Sequence, residues 1–252
     1  MPGTCQSLAG GLTPAPAARD NDGLSRFVVS QSTVLPEQAD NDTAETRLVF
    51  SSANGCERLE QRVIRFGPGH SGPRSPGESQ EILYVTAGSG TLVLDGAEHA
   101  LEPDSGVLVL PGETYEIDGE LELVSVLAPA EGEIERERVV SRFADREEGR
   151  ADEKRTFRVL HQGELTQFIG VVEPCRAPDH SHPYDEVGYI VEGRGLAHMG
   201  DESIPIGPGS CFHLPPQKVH CIENTGPGVM RIMGVFFPAG SPKQRSYDAA
   251  GR

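Results

Sequence analysis

Residues 179–193 read Asp179-His180-Ser181-His182-Pro183-Tyr184-Asp185-Glu186-Val187-Gly188-Tyr189-Ile190-Val191-Glu192-Gly193. The chain has only eight histidines. Here two lie one residue apart, a glutamate follows four residues on, and an apolar run begins. Strand side chains alternate between faces, so His180 and His182 point the same way. Glu186 shares their parity and can join them. Two imidazoles and a carboxylate on one face suit a divalent first-row metal. A fourth donor must come from another strand. The candidate is His220, in GPGSCFHLPPQKVHCIEN, residues 207–224. There the turn Pro215-Pro216-Gln217-Lys218 reverses the chain, and His220 opens the return strand.

Outward from this stretch the chain repeats itself, with two strand-rich blocks, residues 46–129 and 156–241. At an offset of 105 residues, SQEILYVTAGSGTLVLDG (79–96) lies on YDEVGYIVEGRGLAHMGD (184–201) without a gap. Glu81 falls on Glu186, Tyr84 on Tyr189, Gly88 on Gly193, Pro111 on Pro216 and Ile117 on Ile222. The second block holds the runs TFRVL, LTQFIGVVE, EVGYIVE, GLAHM, SCFHL, HCIE and VMRIMGVFF. Gly or Pro clusters separate most of them. Many short strands at such spacing predict an all-β fold of sandwiches or barrels, here two in tandem. Residues 1–45 form an N-terminal tail and lead-in strand. Residues 130–155 form a charge-dense linker, solvated or briefly helical. Residues 242–252 form a frayed tail.

His180-x-His182-x3-Glu186-x6-Gly193 resembles the first cupin motif. Gly209-x5-Pro215-x4-His220-x3-Asn224 resembles the second, with Gln217 where a glycine is usual. The resemblance covers roughly two-thirds of the chain and implies two jelly-roll β-barrels, a bicupin. It implies one divalent transition metal, Fe, Mn, Ni, Cu or Zn, held by His180, His182, Glu186 and His220. In the first block the same offset puts Ser75 and Gly77 at the histidine positions and Tyr115 at that of His220. Asp104 replaces the motif glycine. A serine, a glycine and a phenol cannot stand in for three imidazoles, so the first barrel is expected to be metal-free and structural. Glu81 is either a relic or a partner of Tyr115.

Three neutral imidazoles and a carboxylate leave coordination positions open for substrate or dioxygen. The resemblance to cupin dioxygenases makes an oxygenase acting on a small organic molecule the first expectation. A Lewis-acid hydrolase or lyase is the second. The (S)-ureidoglycine aminohydrolases also pair a metal-free barrel with a metal-bearing one, but their motif resembles E-x-H-x3-H. Oxalate decarboxylases usually keep a complete site in each barrel, which argues against them. A non-enzymatic metabolite- or metal-binding protein is the third.

His213 and Cys211 are candidates for acid–base or supporting roles, against a packed role in the core. His198 faces either the cavity or solvent. Tyr189 and Phe212 read as core, and Cys221 points away from the metal by alternation. Asn224 orients the site or holds the turn. His70 and His161 carry no signal. GPGHSGPRSPG lacks the ending of a phosphate loop, and no G-x-S-x-G is present.

The net charge of −16 disfavours nucleic acid and anionic membrane as partners. The N-terminus lacks the charged and apolar regions of a secretory signal, and no apolar run is long enough to span a bilayer. Five cysteines without a CxxC pair predict packed or idle thiols and a cytoplasmic protein. The expected partner is a small-molecule substrate, and a homodimer is compatible with this.

Overall fold

The computed structural model describes residues 26–244 and residue 246. The expectations for the two extreme tails therefore fall largely outside the described residues. The described chain is all-β, with three single-turn 3-10 segments and no α-helix. Among the described residues no helix is long and apolar enough to cross a membrane. The chain divides into two compact units. One takes residues 26–30, Glu147–Val159 and residues 168–244. The other takes Gln31–Arg146 and Leu160–Gln167.

The first of these units carries a seven-stranded sheet. Its order is Val28–Ser30, Ser210–Leu214, Asp185–Glu192, Met230–Phe237, Thr166–Val172, Arg155–Gln162 and Glu148–Arg150. A four-stranded sheet runs Cys175–Arg176, His220–Asn224, Gly195–Met199 and Glu202–Ile206. Ile190, Phe212, Leu214 and Ile232 from one sheet join Ala197, Met199, Ile204 and Ile206 from the other in one buried cluster. The inward parities of the two sheets therefore face each other, which is how a jelly roll fills its interior.

The second unit is built on one strongly bent sheet in the order Glu37–Gln38, Ala44–Phe50, Glu60–Phe66, Tyr115–Ala128, Gln80–Leu94, Ser105–Val109 and Val140–Arg142. Ala97–Leu101 pairs with the far half of Gln80–Leu94. Leu83, Val85, Leu92, Tyr115, Ile117 and Leu123 fill its interior with others. The charge-dense segment has no α-helix, only the single 3-10 turn Phe143–Asp145. It supplies the strand Val140–Arg142 on Ser105–Val109, and Arg136 donates to the Leu108 carbonyl and pairs with Glu113.

The repeat survives in three dimensions. At the same offset, Gln80–Leu94 corresponds to Asp185–Glu192 together with Gly195–Met199. Ala97–Leu101 corresponds to Glu202–Ile206, and Ser105–Val109 to Ser210–Leu214. Left-handed turn residues also repeat. Asp104 (φ 70°) matches Gly209 (φ 85°), and Gly112 (φ 78°) matches Gln217 (φ 62°). Where one block departs from glycine, the backbone keeps the conformation glycine would favour.

Candidate metal centre

The sequence sends two histidine-bearing segments through a shared backbone bridge. His180 N–H donates to the His220 carbonyl at 3.0 Å, and His220 N–H returns the bond at 2.9 Å. Beyond the Pro-Pro turn, Gln217 N–H donates to the His182 carbonyl at 2.8 Å. The turn thus holds His220 against the His180–His182 segment. Potential ligand atoms of His182, Glu186 and His220 lie within 4.8 Å of one another, and all three residues are buried. His180 lies outside that tight trio, but its ring is 4.5 Å from that of His220 and 6.4 Å from that of His182. It is half-buried and lines the same cavity.

The donor chemistry fits a cation. Each imidazole places Nδ1 against a backbone carbonyl: His180 on Pro178 O at 2.9 Å, His182 on Tyr184 O at 3.0 Å, His220 on Lys218 O at 2.8 Å. A carbonyl only accepts, so each Nδ1 carries the proton and each Nε2 keeps its lone pair. This is the arrangement in which an outer hydrogen bond sets the tautomer of a metal-binding histidine. His182 Nε2 then lies 2.8 Å from Glu186 Oε2. Two lone pairs at that distance repel unless a cation, a metal or a second ring proton, lies with them. The residues present therefore suit a divalent ion.

The walls are largely apolar. A cavity of about 100 Å³ is lined by these four residues and by Phe168, Phe212, Leu214, Ile222, Ile232 and Phe236, among others. Tyr184 stacks on the His182 ring at 4.3 Å. Its hydroxyl donates between the Ser241 and Gln244 carbonyls at 3.0 and 3.1 Å. Gly188 lies in the strand behind Phe212, where a Cβ would come within 2.0 Å of the ring. Only glycine lets that ring lie in the wall.

Other candidates sort by parity. Glu186 pairs in register with Leu214, which lines the cavity, whereas His213 pairs with Val187 and belongs to the opposite face. There His213 Nε2 meets Asp185 Oδ1 at 3.1 Å. His213 therefore has no place at the reacting centre. Cys211 and Tyr189 are paired on that same opposite face. His198 is half-buried between Ser203 Oγ and Glu223 Oε2, both at 2.8 Å, and does not line the cavity. Cys221 is turned away, its thiol pKa pushed up by burial and by its hydrogen bond with Asp179. Asn224 holds the turn: its Nδ2 donates to the Val172 and Gly228 carbonyls, and its Oδ1 accepts from Gly226 N–H. Cys56, Cys211 and Cys221 are buried thiols, but Cys175 is disulfide-bonded, so not every cysteine is an idle thiol.

In the other unit Tyr115 donates to Glu81 Oε1 at 3.2 Å, and Ser125 donates to the same oxygen. Burial raises the Glu81 carboxyl pKa above its ordinary value. Gly77 sits where the offset places it, since its carbonyl accepts from Gly112 N–H as that of His182 accepts from Gln217. Ser75 does not. Arg74 exchanges both backbone bonds with Tyr115, as His180 does with His220. One extra residue between Arg74 and Gly77 moves the match by one position. The His180 equivalent is therefore an arginine, ion-paired with Asp42 at 2.9 Å.

Sequence reasoning missed Tyr184 and Arg155. Both line the cavity, and Arg155 is only 6% exposed. Arg155 shares strand parity with the buried wall residue Phe157, a signal hidden because Arg155 closes the charge-dense run.

Comparison with known proteins agrees with this picture. Residues 168–236 match the cupin domain model, and residues 60–121 match the AraC-like ligand binding domain model. An uncharacterized protein of Methanocaldococcus jannaschii is 35% identical over 82 residues, 31% of this chain and 66% of that protein. Bacillus subtilis oxalate decarboxylase, studied for its Mn(II) centers, superposes with a TM-score of 0.68. It is 12% identical, over 90% of this chain and 80% of that one. A formate complex of Lactobacillus farciminis oxalate decarboxylase gives 0.66 at 14% identity, over 85% and 87% of the two chains. At these identities the structural likeness is one of fold. Residues 168–236 therefore match a cupin domain, and the fold of the described chain is cupin-like.

Proposed function

We propose that the chain is a bicupin enzyme that acts on a small organic molecule, with one divalent metal ion in its C-terminal barrel and dioxygenase chemistry. The ion is held by His180, His182, Glu186 and His220. The observation that carries the reading is the set of three Nδ1–carbonyl bonds, which leave three Nε2 lone pairs for one cation beside a carboxylate. When bound, the ion supplies positions at which substrate and dioxygen meet.

The protein's own share is to fix the imidazole tautomers, set Glu186 beside them, and keep water away with a wall of Phe and Ile side chains. A cavity of about 100 Å³ favours a small substrate, since an engineered cavity of about 150 Å³ holds benzene. The oxygenase reading is preferred over a hydrolase or lyase for a specific reason. Among the described lining residues, the sole carboxylate is the ligand Glu186, and the Tyr184 hydroxyl is committed to two carbonyls. Chemistry that turns on proton transfer needs a positioned acid or base, and this wall supplies little of one. The other barrel, with an arginine and a phenol in place of histidines, is assigned a structural role. A homodimer completes the proposal.

The test begins with elemental analysis of protein purified without added metal, beside His182→Ala. The protein is then loaded with Fe(II) or Mn(II), and oxygen uptake is followed on small enolisable acids, diketones and thiols. About one ion per chain, lost in the variant, with substrate-dependent oxygen uptake supports the reading. Bound metal with carbon dioxide or ammonia release and no oxygen uptake supports the hydrolase or lyase instead. Unchanged metal content in His182→Ala overturns the site.

A further inference from the structure

Arg155 is the one cationic side chain among the described residues that line the metal cavity, and 94% of its surface is buried, as its 6% exposure gives. It begins the strand Arg155–Gln162 and has the inward parity of Phe157, which packs with Phe168, Tyr184 and Phe236. Asp152, whose side chain is only 2% exposed, takes Arg155 Nε on Oδ2 at 2.6 Å and contacts Nη2 with the same oxygen. Nη2 is thus turned to Asp152 and shielded from solvent. A guanidinium offers five donors in a fixed fork, and one carboxylate oxygen cannot satisfy them. Arg155 lines the cavity with more donors than Asp152 can take, so an acceptor bound in the cavity would be favourable there.

Charge points the same way. Three neutral imidazoles, one carboxylate and a divalent ion sum to one positive charge, while the Arg155–Asp152 pair is neutral. A monoanion balances the loaded cavity, whereas a cation is repelled by it. The remaining wall is apolar apart from Thr156 and Gln244. We propose that the cavity binds a small carboxylic acid of two to four carbons, its carboxylate received by Arg155, which Asp152 orients. This rests on the metal reading above and adds the substrate class to it.

The test uses the full chain loaded with Mn(II), titrated calorimetrically with pyruvate and 2-oxobutyrate and, as neutral controls, methyl pyruvate and pyruvamide. Bound Mn(II) is counted separately by EPR. The variants are Arg155→Lys and the double change Asp152→Asn/Arg155→Gln, which avoids stranding a buried Asp152 charge. Their melting temperatures are recorded alongside. The expected result is acid binding in the parent and none for the neutral controls. The double variant should lose about tenfold or more in acid affinity with Mn(II) stoichiometry unchanged. Arg155→Lys should lie between. Equal affinity in the double variant, equal binding of ester and acid, or no acid binding by Mn(II)-loaded parent would each overturn it. Should the double variant not fold, Arg155→Lys decides, and an unchanged acid affinity there overturns the proposal. If the parent holds no Mn(II), the metal reading fails on its own count. The titration is then made on metal-free protein, where Arg155-dependent acid binding upholds the carboxylate site and its absence removes it.

Discussion

Tyr184 O occupies His182 Nδ1, which leaves Nε2 for the proposed ion, so replacing His182 separates binding from folding. His182→Ala is expected to lower Mn(II) or Zn(II) affinity by at least about 100-fold, more than an outer-shell change usually does. A competition titration against a chelator reads this, and unfolding of the barrel should still be cooperative. Gln217 poses the converse case of a residue tolerated at a local cost. Its φ of 62° is left-handed, while Gly112 holds the same turn in the other block. A side chain in that region costs about 1–2 kcal/mol, and glycine returns part of this as unfolded-chain entropy. Gln217→Gly should therefore stabilise the unit by about 0.5–1 kcal/mol in urea unfolding, with metal content unchanged.

Between the strands Asp185–Glu192 and Ser210–Leu214, one face carries Glu186 and Leu214 to the cavity, and the other carries the His213–Asp185 hydrogen bond. That bond belongs to the scaffold. His213→Ala strands a buried carboxylate acceptor and should cost about 2 kcal/mol. Asp185→Asn/His213→Gln should recover at least half of it, and metal stoichiometry should not move in either variant. A loss of metal with retained stability would instead bring His213 into the site. At this scale much was legible beforehand. His180, His182, Glu186 and His220, picked out by their spacing and the Pro-Pro turn, all line one cavity, although His180 and His182 precede the strand that begins at Asp185, and the offset of 105 residues matched strand to strand. Three things were not legible. The pairing of Val28–Ser30 with Ser210–Leu214 joins segments about 180 residues apart, and no local pattern announces it. The extra residue between Arg74 and Gly77 is a loop adjustment that shows only in backbone hydrogen bonds. The facing of His213 depended on register across the Pro-Pro turn, where counting parity fails.

Across the molecule the excess of acidic groups says little about the fold, but two buried groups of the Gln31–Arg146 unit give its stability a directional response to pH. His161, on the described segment Leu160–Gln167, is buried and its pKa is lowered from 6.5 to about 4, chiefly by burial. Its folded pKa is below the unfolded one, so between these values the unfolded chain binds more protons. The stability it lends is complete above pH 6.5 and is lost as pH falls toward 4. The loss is on the order of 3 kcal/mol by the time both states are protonated. Glu81 acts in the opposite sense. Burial raises its pKa above 4.5, so its contribution is present below that value and fades as pH rises through the folded pKa. Substitutions that do not titrate separate the two. Across urea unfolding from pH 4 to 8, His161→Gln should flatten the acid limb, its deficit relative to the parent shrinking as pH falls below 6.5. Glu81→Gln, which keeps an oxygen for Tyr115 and Ser125, should gain on the parent as pH rises. Parallel curves for His161→Gln and the parent would show that this imidazole is not held neutral by its surroundings, and the acid sensitivity would then belong to other groups.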